Sequence, residues 1–150
     1  MTNLSTKAEI AQIAIGIIEE KISFIRESML EAQQIANDYG QPKDRYDGFR
    51  NQQIRYKGQL SQQMENLTAD LLNLKKIDIS RKHKTVNLGS LVYTSMQKVF
   101  ISISLGKITH NGDDYFLIST SVPFYRAIQG KKAGDKVVFN NKTIEILDVS

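Results

Sequence analysis

From Leu4 to Tyr39 an apolar or small residue recurs in steps of four and three: Leu4, Ala8, Ala11, Ile15, Ile18, Ile22, Ile25, Met29, Ala32, Ala36 and Tyr39. A strand turns its side chains over every second residue, so it cannot use this spacing. A helix can, and a stripe held to a 3.5-residue repeat is the narrow seam of a coiled coil. Charges stay off the seam at Glu19, Glu20, Arg26, Glu27 and Glu31. The helix needs a partner for that seam, and the next segment offers one. Gly40 suits the left-handed position just past a helix end, and Pro42 suits the first turn of another.

The spacing predicts a second helix from about Lys43 to Lys76. Its seam reads Tyr46, Phe49, Gln53, Tyr56, Leu60, Met64, Leu67, Leu71 and Leu74, with a slip of phase near Leu60. Gly48 and Gly58 each cost a helix about 1 kcal/mol against alanine, so the half nearest the connection is the weaker. A short connection between long helices implies an antiparallel hairpin. About 34 residues at 1.5 Å each make a finger roughly 50 Å long. Few apolar residues lie near its tip, which favours a finger that reaches into something over one buried along its length.

After the basic link Ser80-Arg81-Lys82-His83-Lys84 the heptads give way to alternation. Residues 86–94 read as a strand around Gly89. Residues 98–106 read as another, with Val99, Ile101, Ile103 and Leu105 on one face and Phe100, Ser102 and Ser104 on the other. Asn111-Gly112 is a hairpin signal, and residues 115–120 form a third strand. Residues 122–130 read as a short helix with Ser121 as N-cap, Pro123 in its first turn and Gly130 as its stop. Two short strands then flank Asn140-Asn141. The fold class expected is α+β: an N-terminal antiparallel two-helix coiled-coil hairpin over residues 1–79, then a small antiparallel-sheet domain with one short helix over 80–150.

Composition narrows the chemistry. The chain has no cysteine, which excludes thiol nucleophiles, thiolate metal sites and disulfides. No apolar run reaches the roughly 18 residues of a membrane span. The N-terminus lacks the basic-then-apolar order of a signal peptide. A soluble, cytoplasmic, monomeric protein with no membrane partner is expected. Residues 1–77 carry ten Lys/Arg and ten Asp/Glu, whereas residues 78–150 carry ten against six, the whole net charge of +4. That surplus admits a nucleic-acid (DNA-binding) surface, but a basic soluble domain accounts for it as simply. His83 and His110, the two histidines, stand in link and turn sequence without ligand spacing and are expected to be solvent-exposed. Residues 130–135, "GKKAGD", lack phosphate-loop spacing. No nucleophile–base set is visible, so the chain is not read as a stand-alone enzyme.

The tip sequence, residues 37–49, "NDYGQPKDRYDGF", holds Asp38, Asp44 and Asp47 around the Gly-Gln-Pro break. Asp44 falls in a first helical turn, where the dipole favours a carboxylate by about 0.3–1 kcal/mol. Asp38 falls near a helix C-terminus, where the dipole disfavours it. These acids are either helix punctuation or a means of presenting negative charge.

The order of parts, with Val122, Pro123, Ala127, Ile128, Gly130, Lys131, Gly134 and Asp135 followed by "TIEILDV", resembles the Gre family of transcription elongation (transcript-cleavage) factors, GreA/GreB-like proteins of bacterial RNA polymerase. That family carries Ser-Pro-x-x-x-Ala-Leu-x-Gly-Lys-x-x-Gly-Asp in its C-terminal domain, and "NLGSLV" (residues 87–92) is similar to its first strand. The resemblance covers nearly the whole chain and implies an FKBP-like second domain. It implies that this domain docks on the rim of the polymerase's secondary channel through Ser121, Pro123, Arg126, Gly130 and Asp135. It implies that the finger enters the channel and brings tip acids, with Asp44 and Asp47 the catalytic and metal-binding pair and Asp38 a further metal candidate, to a magnesium ion and the nascent RNA 3′ end. The ion is then shared with the polymerase active site rather than held stably by the free protein. On that reading the chain activates the polymerase's own RNA cleavage. The family's tip reads Gly-Asp-x-x-Glu-Asn-x-Glu-Tyr. Laid without gaps from Gly40, its first acid falls on Gln41, its second on Asp44, and the later glutamate on Asp47; a turn longer by three residues instead restores acid-x-x-acid at Asp44 and Asp47. The alternatives are a non-cleaving Gre-like regulator in the same channel, favoured by Gln41, and a coiled-coil adaptor or chaperone module.

Overall fold

The computed structural model describes residues 4–39 and 48–150. Two long helices lead: α1 (Leu4–Tyr39) and α2 (Gly48–Lys76). Six strands and a short helix follow: β1 (Leu91–Thr94), β2 (Lys98–Ile101), β3 (Gly106–His110), β4 (Asp113–Ile118), α3 (Pro123–Ile128), β5 (Lys136–Phe139) and β6 (Lys142–Val149). The α+β class is as expected. The onset of the second helix, expected near Lys43, lies outside the described residues. By packing the chain divides into Met1–Gly16 with Leu72–Ser150, and Ile17–Leu71. This differs from a division at residues 79 and 80: the first turns of α1 and the end of α2 join the sheet-bearing unit.

Within Ile17–Leu71 the helices run antiparallel. Phe24 and Ile25 line one groove with Gln63 and Leu67, while further along α1 Gln33 accepts a hydrogen bond from the Lys57 ammonium. Ile18, Ile25 and Ala32 are buried at heptad spacing, and Ile22, Met29 and Ala36 are half-buried beside them. On α2 the seam runs Gln53, Lys57, Leu60, Met64, Leu67, Leu71 and Leu74 without a slip. Tyr56, placed on the seam by its ring, is exposed, and Lys57 takes the position. An apolar stem with a polar end can occupy a half-buried seam site when an acceptor such as Gln33 is in reach.

The sheet runs β3-β4-β2-β1-β6-β5. It is antiparallel except that β2 and β4 run parallel, with Val99 beside Phe116 and Ile101 beside Ile118. This pairing makes β2 an interior strand, and Val99, Phe100 and Ile101 are all fully buried. The expected split of residues 98–106 into one apolar and one polar face therefore fails. The strand ends at Ile101, and residues 106–110 form a separate edge strand, β3, which alternation did not reveal. One sheet face, with Val92, Val99, Ile101, Val137, Ile144 and Ile146, packs on Phe124, Tyr125 and Ile128 of α3. The other carries Leu91, Phe100 and Leu117, all essentially inaccessible. The elements left in this unit to cover it are the base of α1 and the end of α2, where Ile10, Ala11, Ala14 and Leu74 are buried.

Two hairpins close on asparagine. Asn111 (φ 51°) with Gly112 (φ 82°), and Asn140 (φ 50°) with Asn141 (φ 64°), hold the paired left-handed conformation that matches strand twist. Gly89 is not within a strand. It sits in a turn at φ 90°, donating its N–H to Ile101 O at 2.7 Å, and β1 begins two residues later. A Cβ there would lie 3.1 Å from Ile77 Cγ2. Gly89→Ala is accordingly expected to destabilise the protein by about 1–2 kcal/mol, from the left-handed backbone together with the contact. Urea denaturation at neutral pH measures it, and an unchanged midpoint would show that the turn relaxes freely.

Candidate functional site

The finger end is described on its α1 side. Asp38, in the last turn of α1, accepts a hydrogen bond from Gln34 Nε2 at 2.8 Å, and Asn37 accepts one from Gln33 at the same distance. Both are i,i+4 bonds, and the one from Gln34 partners a carboxylate that the helix dipole disfavours. Asp38 is exposed. Asp44, Asp47 and Gln41 lie outside the described residues. Among the described residues no three His, Asp or Glu side chains gather to hold a metal ion.

The second expected set surrounds α3. Pro123 stands at the helix start, where its missing N–H costs nothing. Ser121 is not the N-cap. Val122 occupies that position in an extended conformation without a capping side chain. The Ser121 hydroxyl instead meets Ser119 Oγ at 2.7 Å, and Ser119 in turn takes a bond from Ser104 at 3.1 Å. Phe124, Tyr125 and Ile128 point into the core, which leaves Pro123 and Arg126 exposed on the outer side of the helix. Gly130 stops the helix at φ 74°, with its N–H donated to Val86 O at 2.9 Å. Asp135 differs from the other four because its carboxylate is used internally. Oδ2 accepts the Lys132 N–H at 2.9 Å, and its backbone carbonyl accepts Ile146 N–H at 2.8 Å. The structure thus brings Ser121, Pro123, Arg126 and Gly130 to the surface of one turn–helix–turn, and makes Asp135 the staple of the turn into β5.

Sequence reasoning missed two features in the sheet-bearing unit. Lys7 has no accessible surface. Its ammonium donates to the backbone oxygens of Arg81 at 2.9 Å and Ser150 at 3.2 Å. Burial pushes its pKa down to about 8, against a smaller upward pull from Asp78. Lys7 lies four residues before Ala11 on the heptad spacing, and this position was its one sequence signal; its charge argued the other way. The second feature is His110. It is not solvent-exposed as expected: Nε2 lies 2.6 Å from Glu9 Oε2, and the ring is largely covered. His83 is also partly buried, and its pKa is lowered by that burial and then by the positive charges of Lys7 and Arg81. On β1 and β4, Tyr93 and Tyr115 share a 3.1 Å hydroxyl contact, and the Tyr93 pKa is raised chiefly by burial and next by that bond.

Among the described residues, no helix is long and apolar enough to cross a membrane. No family model matches the chain, and no curated protein matches its sequence. Solved structures similar to it include one of the transcription factor Gfh1, at 16% identity and a TM-score of 0.36, covering 90% of this chain and 92% of that one. The GreA factor homolog 1 (Gfh1) protein of Thermus thermophilus is similar at the same identity and TM-score, over 91% of this chain and 94% of that one.

Proposed function

We propose that this chain is a regulator of RNA polymerase that docks through its sheet-bearing unit and inserts the hairpin of α1 and α2 into the secondary channel. The observation that carries the reading is the Pro123–Gly130–Asp135 pattern, which resembles that of the Gre factors and lies on a turn–helix–turn following a two-helix hairpin. Pro123 and Arg126 are exposed there with no role in the core. At the finger end, Asp44 and Asp47 would supply one or two carboxylates toward a magnesium ion in the polymerase active site. Magnesium binds oxygen ligands and retains waters, so a pair of acids suffices when the rest of the site belongs to another protein. When bound, such an ion stabilises charge on the attacking and leaving oxygens of an in-line displacement at the RNA backbone. The chain is then an activator of RNA cleavage by the polymerase and not itself an enzyme. Cleavage of nascent RNA in a stalled elongation complex, with and without the protein, tests this directly.

Gln41 favours a second reading, a non-cleaving occupant of the same channel that modulates initiation, elongation or pausing. Both readings require polymerase binding, which a coiled-coil adaptor or chaperone module does not. Replacing Ser121 and Arg126 together by alanine should weaken binding to core polymerase about tenfold or more, in the range of a lost charge-assisted contact. The circular dichroism melt should stay as in the wild type, since both side chains are exposed. Unchanged affinity would move the docking surface away from α3.

A further inference from the structure

The two packing units differ in charge more than the two halves of the sequence do. Met1–Gly16 with Leu72–Ser150 holds thirteen Lys/Arg and seven Asp/Glu, net +6, and Ile17–Leu71 holds seven and nine, net −2. Inside the sheet-bearing unit several acids lie away from the basic link, while Glu145 stands opposite Lys136 on the β5–β6 pair. Asp113 and Asp114 lie at the β3–β4 end, paired with Lys98 at 3.2 Å and Lys107 at 3.9 Å, and Glu9 is paired with His110. At the β5 side the backbone joins two basic segments that are far apart in sequence. Thr85 bridges Lys132 in antiparallel register, Val86 N–H donates to Lys131 O at 2.8 Å, and Gly130 N–H donates to Val86 O at 2.9 Å. Lys84, one residue before Thr85, is thereby held close to Lys132 and Lys131, and Arg81 and Lys82 precede it in the same link.

All five of these side chains are exposed, and among the described residues none forms an ion pair. The two nearest acids in sequence also serve inside the fold: Asp78 accepts bonds from Ser80 and feels the positive charges of Arg81 and Lys7, and Asp135 accepts a bond from Lys132 N–H. His83, within the link, has its pKa lowered first by burial and only then by the positive charges of Lys7 and Arg81. Adjacent ladder segments lie about 4.8 Å apart and advance about 3.3 Å per residue, so the cluster spans on the order of 10 Å. A duplex presents one phosphate charge per roughly 1.7 Å of axis, about six over that length.

We propose that the surface formed by Arg81, Lys82, Lys84, Lys131 and Lys132 binds the phosphate backbone of duplex nucleic acid without reading its sequence. The side chains favour this partner. Four of the five are lysines, which act as point charges toward phosphate and do not make the planar bidentate pairs with which arginine reads guanine. A single-strand site stacks bases on aromatic rings, and among the described residues every Phe and Tyr of this unit is buried or half-buried. Neither basic segment signals the surface alone; the bridge between residues 85 and 132 assembles it.

The test compares two variants of equal net charge, Lys84→Glu with Lys132→Glu, and Lys21→Glu with Lys142→Glu. The probe is a labelled mixed-sequence DNA duplex, titrated by fluorescence anisotropy across roughly 50–200 mM salt. The wild type is expected to bind at low salt with similar affinity for unrelated sequences. The Lys84/Lys132 variant should lose about tenfold in affinity and flatten the log–log salt slope by about two, one counterion-releasing contact per lysine. The Lys21/Lys142 variant should keep the slope. Lys82→Gln, Lys84→Gln, Lys131→Gln and Lys132→Gln combined should lose binding while keeping the wild-type circular dichroism spectrum. Equal losses in the two charge-reversed variants would reduce the effect to net charge and overturn the proposal. So would binding to phosphatidylserine vesicles with none to the duplex.

Discussion

Replacing Asp44 and Asp47 together by asparagine is expected to abolish magnesium-dependent RNA cleavage stimulated by this protein, and to leave its fold and polymerase affinity intact. The two sides of the substitution differ greatly in energy. Even where a carboxylate stands in a first helical turn, as the sequence predicts for Asp44, its loss costs about 0.3–1 kcal/mol of stability. Loss of a carboxylate that positions a catalytic metal removes several kcal/mol of transition-state stabilisation, and each 1.36 kcal/mol is about tenfold in rate. Asparagine keeps the shape and a carbonyl oxygen but not the charge, so the effect isolates charge from packing. Single-turnover cleavage in a stalled elongation complex gives the rate, and co-elution with core polymerase gives the binding. A double variant that cleaves as fast as the wild type would remove the metal role from this pair and leave Asp38 as the acid to replace. A wild type that binds polymerase and cleaves nothing would make Gln41 the deciding residue and establish the non-cleaving regulator.

Stability should rise between about pH 8 and pH 10 and lose that rise in Lys7→Met. Lys7 titrates near 8 in the folded protein against its ordinary 10.5, because burial disfavours the ammonium. Between those values the unfolded chain binds more protons than the folded one, so unfolding free energy increases with pH. Below about pH 8 Lys7 is charged in both states and the protein carries the full burial penalty. The gain up to pH 10 is about 2–3 kcal/mol at 1.36 kcal/mol per pH unit. Tyr93 sets the upper limit with the opposite sign. Its folded pKa is raised, so its contribution is present below its unfolded value near 10 and is lost as pH climbs above it. Urea denaturation of both proteins at pH 7, 8, 9 and 10 decides the matter. Parallel pH profiles would show that Lys7 is not the group responsible.

The hairpin was legible because its information is local and redundant. Ten steps of four and three from Leu4 to Tyr39 leave no other periodic structure, and Asn111-Gly112 and Asn140-Asn141 name their turns through residues that tolerate positive φ. The candidate site was legible only in part. The Pro123 helix start and the Gly130 stop follow from missing N–H and missing Cβ, but the cap at Ser121 did not hold, because a second hydroxyl at Ser119 competes for the same side chain.

What the sequence alone determined is therefore the set of elements whose reasons lie within a few residues: two heptad helices, asparagine turns, and a short helix between proline and glycine. What only the tertiary structure decided depends on neighbours distant in the chain. The parallel pairing of β2 with β4 buried both faces of residues 99–101 and erased the alternation expected there. Backbone oxygens at Arg81 and Ser150 made room for a buried lysine 74 and 143 residues away. The bridge from Thr85 to Lys132 joined two basic segments that are each unremarkable alone. Periodicity and turn chemistry are short-range properties, whereas burial and charge density are sums over the whole fold, and those sums first exist when the strands have paired.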